Sequence, residues 1–268
     1  MNELLDAKKI ESFIEPAFFS RLKKIEIFDS IDSTNSYLMQ QAKKGAVSGT
    51  ICLAETQTAG RGRQGKQWIS PHAQNVYCSL LWNFPHAQKN LSSLSLAVAV
   101  IVARALKKYG VAAGIQLKWP NDILFSSRKL AGILLENVTR DHHHAVVIGI
   151  GVNLFFPEKD SSWIDLHEMI GQPVQRNHFI GILLNQLLSD LPAFEMSDLL
   201  SFIDEWRACD FLYQKKINVQ MPMENFSGIA LGIREDGALI FENQQGEKIF
   251  LEYGEVSVTP TTTLHIPK

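Results

Sequence analysis

The sequence predicts an α/β (α+β) domain over residues 1–211, followed by a small barrel-like all-β domain over residues 212–268. Three observations carry this reading. Between residues 24 and 153, short alternating strand segments are interleaved with two helical ones. From Leu212 onward the pattern changes to short strands only, with turn signals at Glu235-Asp236-Gly237 and Gln244-Gln245-Gly246. A chain of 268 residues that is 46% hydrophobic can bury one large core and a smaller one.

The elements follow in order. Residues 1–24 mix charges of both signs and suggest one short helix with a loop at Pro16. Residues 24–28 alternate like a strand. The small polar residues Ser33, Thr34 and Asn35 then cap a helix over 36–44, closed by Gly45. A strand over 50–56 delivers the chain to Gln57 and a glycine-rich loop, and 76–81 alternate as the next strand. Residues 90–109 form a helix with Lys107 and Lys108 in its last turn and Gly110 beyond, as helix dipole and C-cap favour. Residues 115–119 are a strand stopped by Pro120. Strands over 122–125 and 129–137 are joined by the turn Ser126-Ser127-Arg128, and a further strand covers 145–153. His142, His143 and His144 fall on the intervening hairpin tip, where solvated side chains are expected rather than a metal site. Helices over 177–194 and 198–208 carry leucine stripes that read as core.

Composition excludes several classes. A net charge of -2 argues against a polyanion as main partner. Cys52, Cys78 and Cys209 are odd in number and far apart, without C-x-x-C spacing, which predicts a reduced, cytoplasmic setting. The N-terminus lacks the basic and apolar blocks of a signal peptide. The longest apolar run, 94–106, is too short for a bilayer and reads as a buried helix.

The chemistry centres on Gly60-Arg61-Gly62-Arg63-Gln64-Gly65-Lys66-Gln67-Trp68. Glycines let the backbone approach a ligand closely, and the cations between them suit an anion. The glycines match G-x-G-x-x-G, but a strand follows where that motif opens a helix, and no acid occurs between Thr56 and Asn121. A phosphate-binding P-loop fails as well, because Gln67 stands where its Ser or Thr is needed. Every charged residue in that interval is positive: Arg61, Arg63, Lys66, Lys89, Arg104, Lys107, Lys108 and Lys118. If they converge, they make a local anion trap. Three strand ends supply further polar groups: Lys118-Trp119-Pro120-Asn121-Asp122, Lys129-Leu130-Ala131-Gly132-Ile133-Leu134, and Gly149-Ile150-Gly151-Val152-Asn153. Lys129 is either a solvated strand end or an ammonium aimed into a site from a rigid element. The glycines of the third block would let a ligand lie close to the backbone.

In this order, Ser33-Thr34-Asn35, the glycine-arginine loop and these three blocks resemble biotin protein ligases, with a weaker echo at Gly254-Glu255-Val256-Ser257. The resemblance implies a catalytic domain like that of class II aminoacyl-tRNA synthetases and a C-terminal SH3-like β-barrel. It implies that biotin and ATP, with Mg²⁺, give biotinyl-5′-AMP, and that biotin then passes to a lysine of a biotin carboxyl carrier protein. The biotin contacts it implies are Ser33, Thr34, Asn35, Gln57, Arg61, Gly62, Arg63 and Lys129, with Arg61, Arg63 and Lys129 catalytic. On the nucleotide side are Lys66, Trp68, Lys118, Asn121, Asp122 and Asn153. Trp68 is a cover for the adenylate or a core residue. No His/Cys/Asp cluster suggests a fixed metal, so Mg²⁺ should arrive with ATP. A lipoate ligase or octanoyltransferase of the same fold is the rival enzyme, and a biotin-sensing DNA-binding repressor the rival binding module. Three departures matter. Lys66 replaces a common arginine, and Thr259 falls where some relatives have arginine, which puts nucleotide contacts from the C-terminal domain in doubt. About 28 residues precede the Ser33 region, too few for a winged helix-turn-helix, and acids outnumber bases in residues 1–30. The expectation is a monofunctional ligase, monomer or homodimer, bound to neither DNA nor membrane.

Overall fold

The chain enters through a short helix, α1 (Ala7–Ser12), whose N-cap Asp6 accepts a hydrogen bond from Lys9 N. Then come β1 (Lys24–Ile31), α2 (Thr34–Lys43), β2 (Thr50–Gln57), β3 (Val76–Phe84) and α3 (Leu91–Tyr109). An antiparallel meander follows: β4 (Ile115–Lys118), β5 (Asp122–Phe125), β6 (Arg128–Arg140) and β7 (His143–Val152). Helices α4 (Leu166–Ile170), α5 (Arg176–Ser197) and α6 (Ile203–Ala208) lead into β8 (Lys216–Gln220), β9 (Asn225–Ile233), β10 (Leu239–Asn243), β11 (Lys248–Leu251) and β12 (Ser257–Pro260). This computed structural model describes residues 3–84, 91–140, 143–156, 162–220, 225–252 and 257–260. The weak C-terminal echo at 254–256, Lys89 and His142 lie outside them.

Seven strands form the larger sheet in the order β1-β2-β3-β7-β6-β5-β4. β1 and β2 are parallel because α2 carries the chain across, and the remaining neighbours are antiparallel. One face is covered by α3 and α5. Leu94, Leu96, Ala97, Val98, Val100 and Ile101 are all buried, since α3 lies between the sheet and α5. That explains why its apolar run is continuous rather than striped. The other face is covered in part by α2, whose Leu38 and Ala42 pack on Cys52, Leu81, Val138 and Val147. The uncovered remainder of that face is where the site lies.

The five later strands form a second, antiparallel sheet, β11-β10-β9-β8-β12. It is not a loose appendage. Ile217, Val219 and Phe241 belong to the same continuous apolar cluster as the main core. At the joint, Leu117 N donates to Cys209 O (2.8 Å), Phe211 N to Leu117 O (2.8 Å), and Trp119 Nε1 to Gly237 O (3.0 Å).

Three local expectations change. Helix α2 begins at Thr34, two residues before the predicted start, so only Ser33 stands outside the helix as its cap. The predicted helix over 198–208 is split into a 3₁₀ turn, Asp198–Ser201, and α6, because Phe202 between them sits at φ -126° and ψ -14°, off the helical path, while Asp198 at φ 50° separates the turn from α5. His143 and His144 extend β7 opposite Arg140 and Thr139, so they belong to a paired strand instead of a hairpin tip. Among the described residues, no helix is long and apolar enough to cross a membrane.

Candidate functional site

A cavity of about 330 Å³ opens on the α2 side of the larger sheet. Ser33, Thr34, Asn35, Gln57, Arg61, Gly62, Arg63, Lys66, Trp68, Lys118, Asn121, Asp122, Lys129 and Asn153 all line it. Residues up to 120 positions apart in sequence therefore meet at one place, and so do Val258 and Thr259 of β12.

The first wall is the start of α2. Thr34 N and Oγ1 lie 2.9 and 3.2 Å from Gln57 Oε1, and the wholly buried Ser79 Oγ lies 2.8 Å from Thr34 Oγ1. Ser79 also donates to Asn35 Oδ1 at 2.5 Å. A hydroxyl has one proton, and an amide oxygen only accepts, so Thr34 supplies its own proton to Gln57 or to Ser79. On its other side, Asn35 Nδ2 donates to Glu136 Oε2 (2.9 Å) and Leu134 O (3.3 Å). The amide is thereby fixed in one orientation.

The floor comes from β6 and β7, where Gly132 faces Gly151 across the ladder. Their missing side chains leave room for protein groups. A Cβ on Gly151 would lie 2.5 Å from the Trp68 ring, and one on Gly132 would lie 3.0 Å from it. A Cβ on Gly149 would collide with the Asn35 amide. The sequence suggests room for a ligand at Gly149 and Gly151; here the close approach is made by Asn35 and Trp68. Gly149→Ala should accordingly destabilise the fold by about 1–3 kcal/mol through overpacking. A denaturation midpoint equal to that of the wild type would show that Asn35 has another place to go.

The glycine loop folds as a tight turn. Gly62 N donates to Lys66 O (2.7 Å), Lys66 N to Arg63 O (3.1 Å) and Trp68 N to Gly60 O (2.9 Å). Gln64 and Gly65 take left-handed φ of 55° and 71°. Trp68 then lies against the floor, with Lys129 Nζ 5.3 Å from its ring centroid.

The third wall holds the lysines. Lys129 Nζ pairs with Asp122 Oδ1 at 2.6 Å. Its backbone is fixed by Lys129 N to Ser162 O (2.9 Å), Ile164 N to Lys129 O (3.0 Å) and Asn153 Nδ2 to Lys129 O (3.1 Å). Asn121 Nδ2 likewise donates to a backbone carbonyl, Ile133 O, at 2.7 Å. Burial lowers the Lys118 ammonium below the ordinary lysine range; Asp122 opposes this, and Lys129 and Lys66 add to it. Cys78, also in the lining, has its thiol pushed up to about 12 by burial and is inert.

Lys129 of β6 and Arg61 of the loop each meet an acid: Asp122, which the resemblance puts on the nucleotide side, and Glu136, to which the sequence assigns no role. Asp122 holds Lys129, and Glu136 holds Arg61, with Nη2 2.7 Å from Oε1 and 2.5 Å from Oε2. Sequence reasoning missed Glu136, Ser79, Phe156 and Trp163. Alternation offered one signal: Gly132, Leu134 and Glu136 share a strand face, so an acid there faces the glycine positions.

The biotin/lipoate A/B protein ligase family profile matches residues 27–153. The bifunctional ligase/repressor BirA of Escherichia coli (strain K12) is 33% identical over 262 residues, covering 96% of this chain and 78% of that protein. The chain belongs to the biotin/lipoate A/B protein ligase family. Within the family, this ligase is also 29% identical over 241 residues to the biotin–[acetyl-CoA-carboxylase] ligase of Mycobacterium tuberculosis, covering 87% of this chain and 88% of that one. Its fold matches the biotin protein ligase from Aquifex aeolicus in complex with biotin and ATP. The TM-score is 0.78 at 25% identity, over 90% of this chain and 100% of that one. The first of these is named as a ligase and repressor, and the other two as biotin ligases. The fold is thus a mixed α/β ligase domain with a small antiparallel, SH3-like sheet at its C-terminal end.

Proposed function

We propose that this ligase joins biotin to ATP, giving biotinyl-5′-AMP and pyrophosphate, and then passes biotin to a lysine of a biotin carboxyl carrier protein. The observation that carries this is the convergence of Arg61, Arg63, Lys66, Lys118 and Lys129 on one cavity whose only lining acid, among the described residues, is Asp122. In the first step a carboxylate oxygen attacks the α-phosphorus, and the bond to pyrophosphate breaks. Both reactants are anions, so their repulsion dominates the barrier, and fixed cations lower it. In the second step a lysine amine attacks the acyl carbon, AMP leaves, and the amine gives up a proton.

Assigned roles follow the walls. Ser33, Thr34, Asn35 and Gln57 present polar groups to the ring of biotin. Arg61, Gly62, Arg63 and Lys129 surround its carboxylate and the α-phosphate. Lys66, Trp68, Lys118, Asn121, Asp122 and Asn153 form the nucleotide side. There Phe156 and Trp163, with ring centroids 5.6 Å apart and planes 31° from parallel, offer an apolar surface to a flat base. Asn121 and Asn153 act through the backbone they brace. A single lining carboxylate that is already paired suits a magnesium ion delivered on the triphosphate, where it would offset phosphate charge beside Asp122.

Intact-mass measurement of a biotin carboxyl carrier domain, incubated with this protein, biotin and Mg-ATP, tests the reading. One added biotinyl group is expected. Modification with lipoate and none with biotin would reverse it in favour of the rival enzyme.

Arg63 gives a second expected result. A guanidinium can grip a phosphate with two parallel hydrogen bonds, each contributing roughly 1.5–3 kcal/mol. Arg63→Gly should therefore weaken retention of the adenylate at least about tenfold. Pyrophosphate release should suffer less, because Arg61 and Lys129 remain. Streptavidin blots should show bystander labelling of serum albumin above the wild-type level. Normal turnover without extra labelling would exclude this role.

A further inference from the structure

Glu136 is an acid set among convergent cations, and nothing in the chemistry proposed above uses it. It stands on β6 on the strand face shared by Gly132 and Leu134, and its contacts are to Arg61 and Asn35, which line the cavity. Its carboxylate accepts from Arg61 Nη2 at 2.7 and 2.5 Å, and from Asn35 Nδ2 at 2.9 Å. The side chains of Arg61 and Glu136 are 43% and 23% exposed, so water alone would leave the long arginine free to sample many rotamers.

We propose that Glu136 is a positioning residue that fixes Arg61 and Asn35 in their binding arrangement before biotin arrives. The inference rests on the biotin reading of this site. Two physical arguments support it. Arg61, Arg63, Lys66 and Lys129 repel one another, and a fixed carboxylate offsets that repulsion at the residue nearest to it. Moreover, the pair engages only Nη2 of the guanidinium. An arginine has five N–H donors, so Nη1 and Nε, which meet no partner among the described residues, remain for an anion while the pair persists. Glu136 then reduces the ordering cost of binding instead of competing with the substrate for Arg61. A rigid strand supplies the fixed point, and the loop residue is the part being fixed.

The test is a double-mutant cycle on the full chain, read by calorimetric titration with biotin alone and by pyrophosphate release. Glu136→Ala should weaken biotin binding about tenfold, the size of one lost charge-assisted contact. It should raise the KM for biotin more than it lowers kcat. In an Arg61→Ala background the same change should weaken binding by less than about threefold, because of the two groups it positions only Asn35 is left. Glu136→Gln keeps the volume and one acceptor oxygen, so it should fall between Glu136→Ala and the wild type. It also serves as the test variant if the alanine form does not fold. Wild-type affinity in the folded variant, or losses that multiply in the double variant, would overturn the inference. Failure of the wild type itself to bind biotin would overturn the biotin reading, which is a separate outcome.

Discussion

Lys129→Ala should lower biotin-dependent pyrophosphate release by about a hundredfold or more, the usual cost of deleting one preorganised donor to developing charge, roughly 3 kcal/mol of barrier. The fold should survive. The lysine backbone is held by Ser162, Ile164 and Asn153, none of which needs its side chain. The structure adds a complication that the sequence did not show. Lys129 Nζ lies 2.6 Å from Asp122 Oδ1, so the variant also leaves a carboxylate uncovered near the phosphates. Part of the loss would then be repulsion from Asp122. Lys129→Ala combined with Asp122→Asn separates the two effects. If the double variant regains full rate, Lys129 only neutralises Asp122. If it stays slow, the ammonium acts on the reactants. A wild-type rate in the folded single variant would remove Lys129 from the chemistry.

The largest expected effect on stability lies outside the cavity. Arg176 and Glu55 form a buried ion pair, Nη1 to Oε2 at 2.7 Å, with side chains 3% and 5% exposed. The guanidinium also donates to Glu3 O (2.7 Å) and Asn75 O (3.0 Å), while Glu55 Oε1 accepts from Leu5 N at 2.5 Å. Arg176→Met should destabilise the protein by about 3–5 kcal/mol, because it strands the Glu55 carboxylate in the interior. Against a total stability of roughly 5–15 kcal/mol, that is a large fraction. Urea denaturation measures it. Adding Glu55→Leu should recover much of the loss, since an apolar pair carries no desolvation cost. A single variant within about 1 kcal/mol of the wild type would show that the pair contributes little. The same network reaches the site, because Asn75 Oδ1 accepts from Leu154 N (2.8 Å) and Phe155 N (3.1 Å), just beyond Asn153.

Much of this protein was legible in its sequence because the signals are local. The alternation at β3, the capped and dipole-matched α3, and the switch to short strands after Leu212 each follow from neighbours along the chain. The composition of the glycine loop is likewise local. Its cations, and the absence of acids between Thr56 and Asn121, define an anion site without reference to any distant residue. Where the chain breaks a helix was less legible. Phe202, at φ -126° and ψ -14°, interrupts the helix expected over 198–208, and no propensity marks a phenylalanine as a break.

What only the tertiary structure decided is which groups those cations meet. Glu136 is 75 residues from Arg61, and Ser79 is 44 from Asn35, so no spacing rule links them. The glycines of β7, Gly149 and Gly151, looked like room for a ligand, because the sequence records a missing side chain without recording what approaches it. In the fold, Trp68 and Asn35 take that room. Local chemistry fixes which residues can bind an anion. Through-space distance and burial fix which are already paired, and therefore what a ligand must find still available.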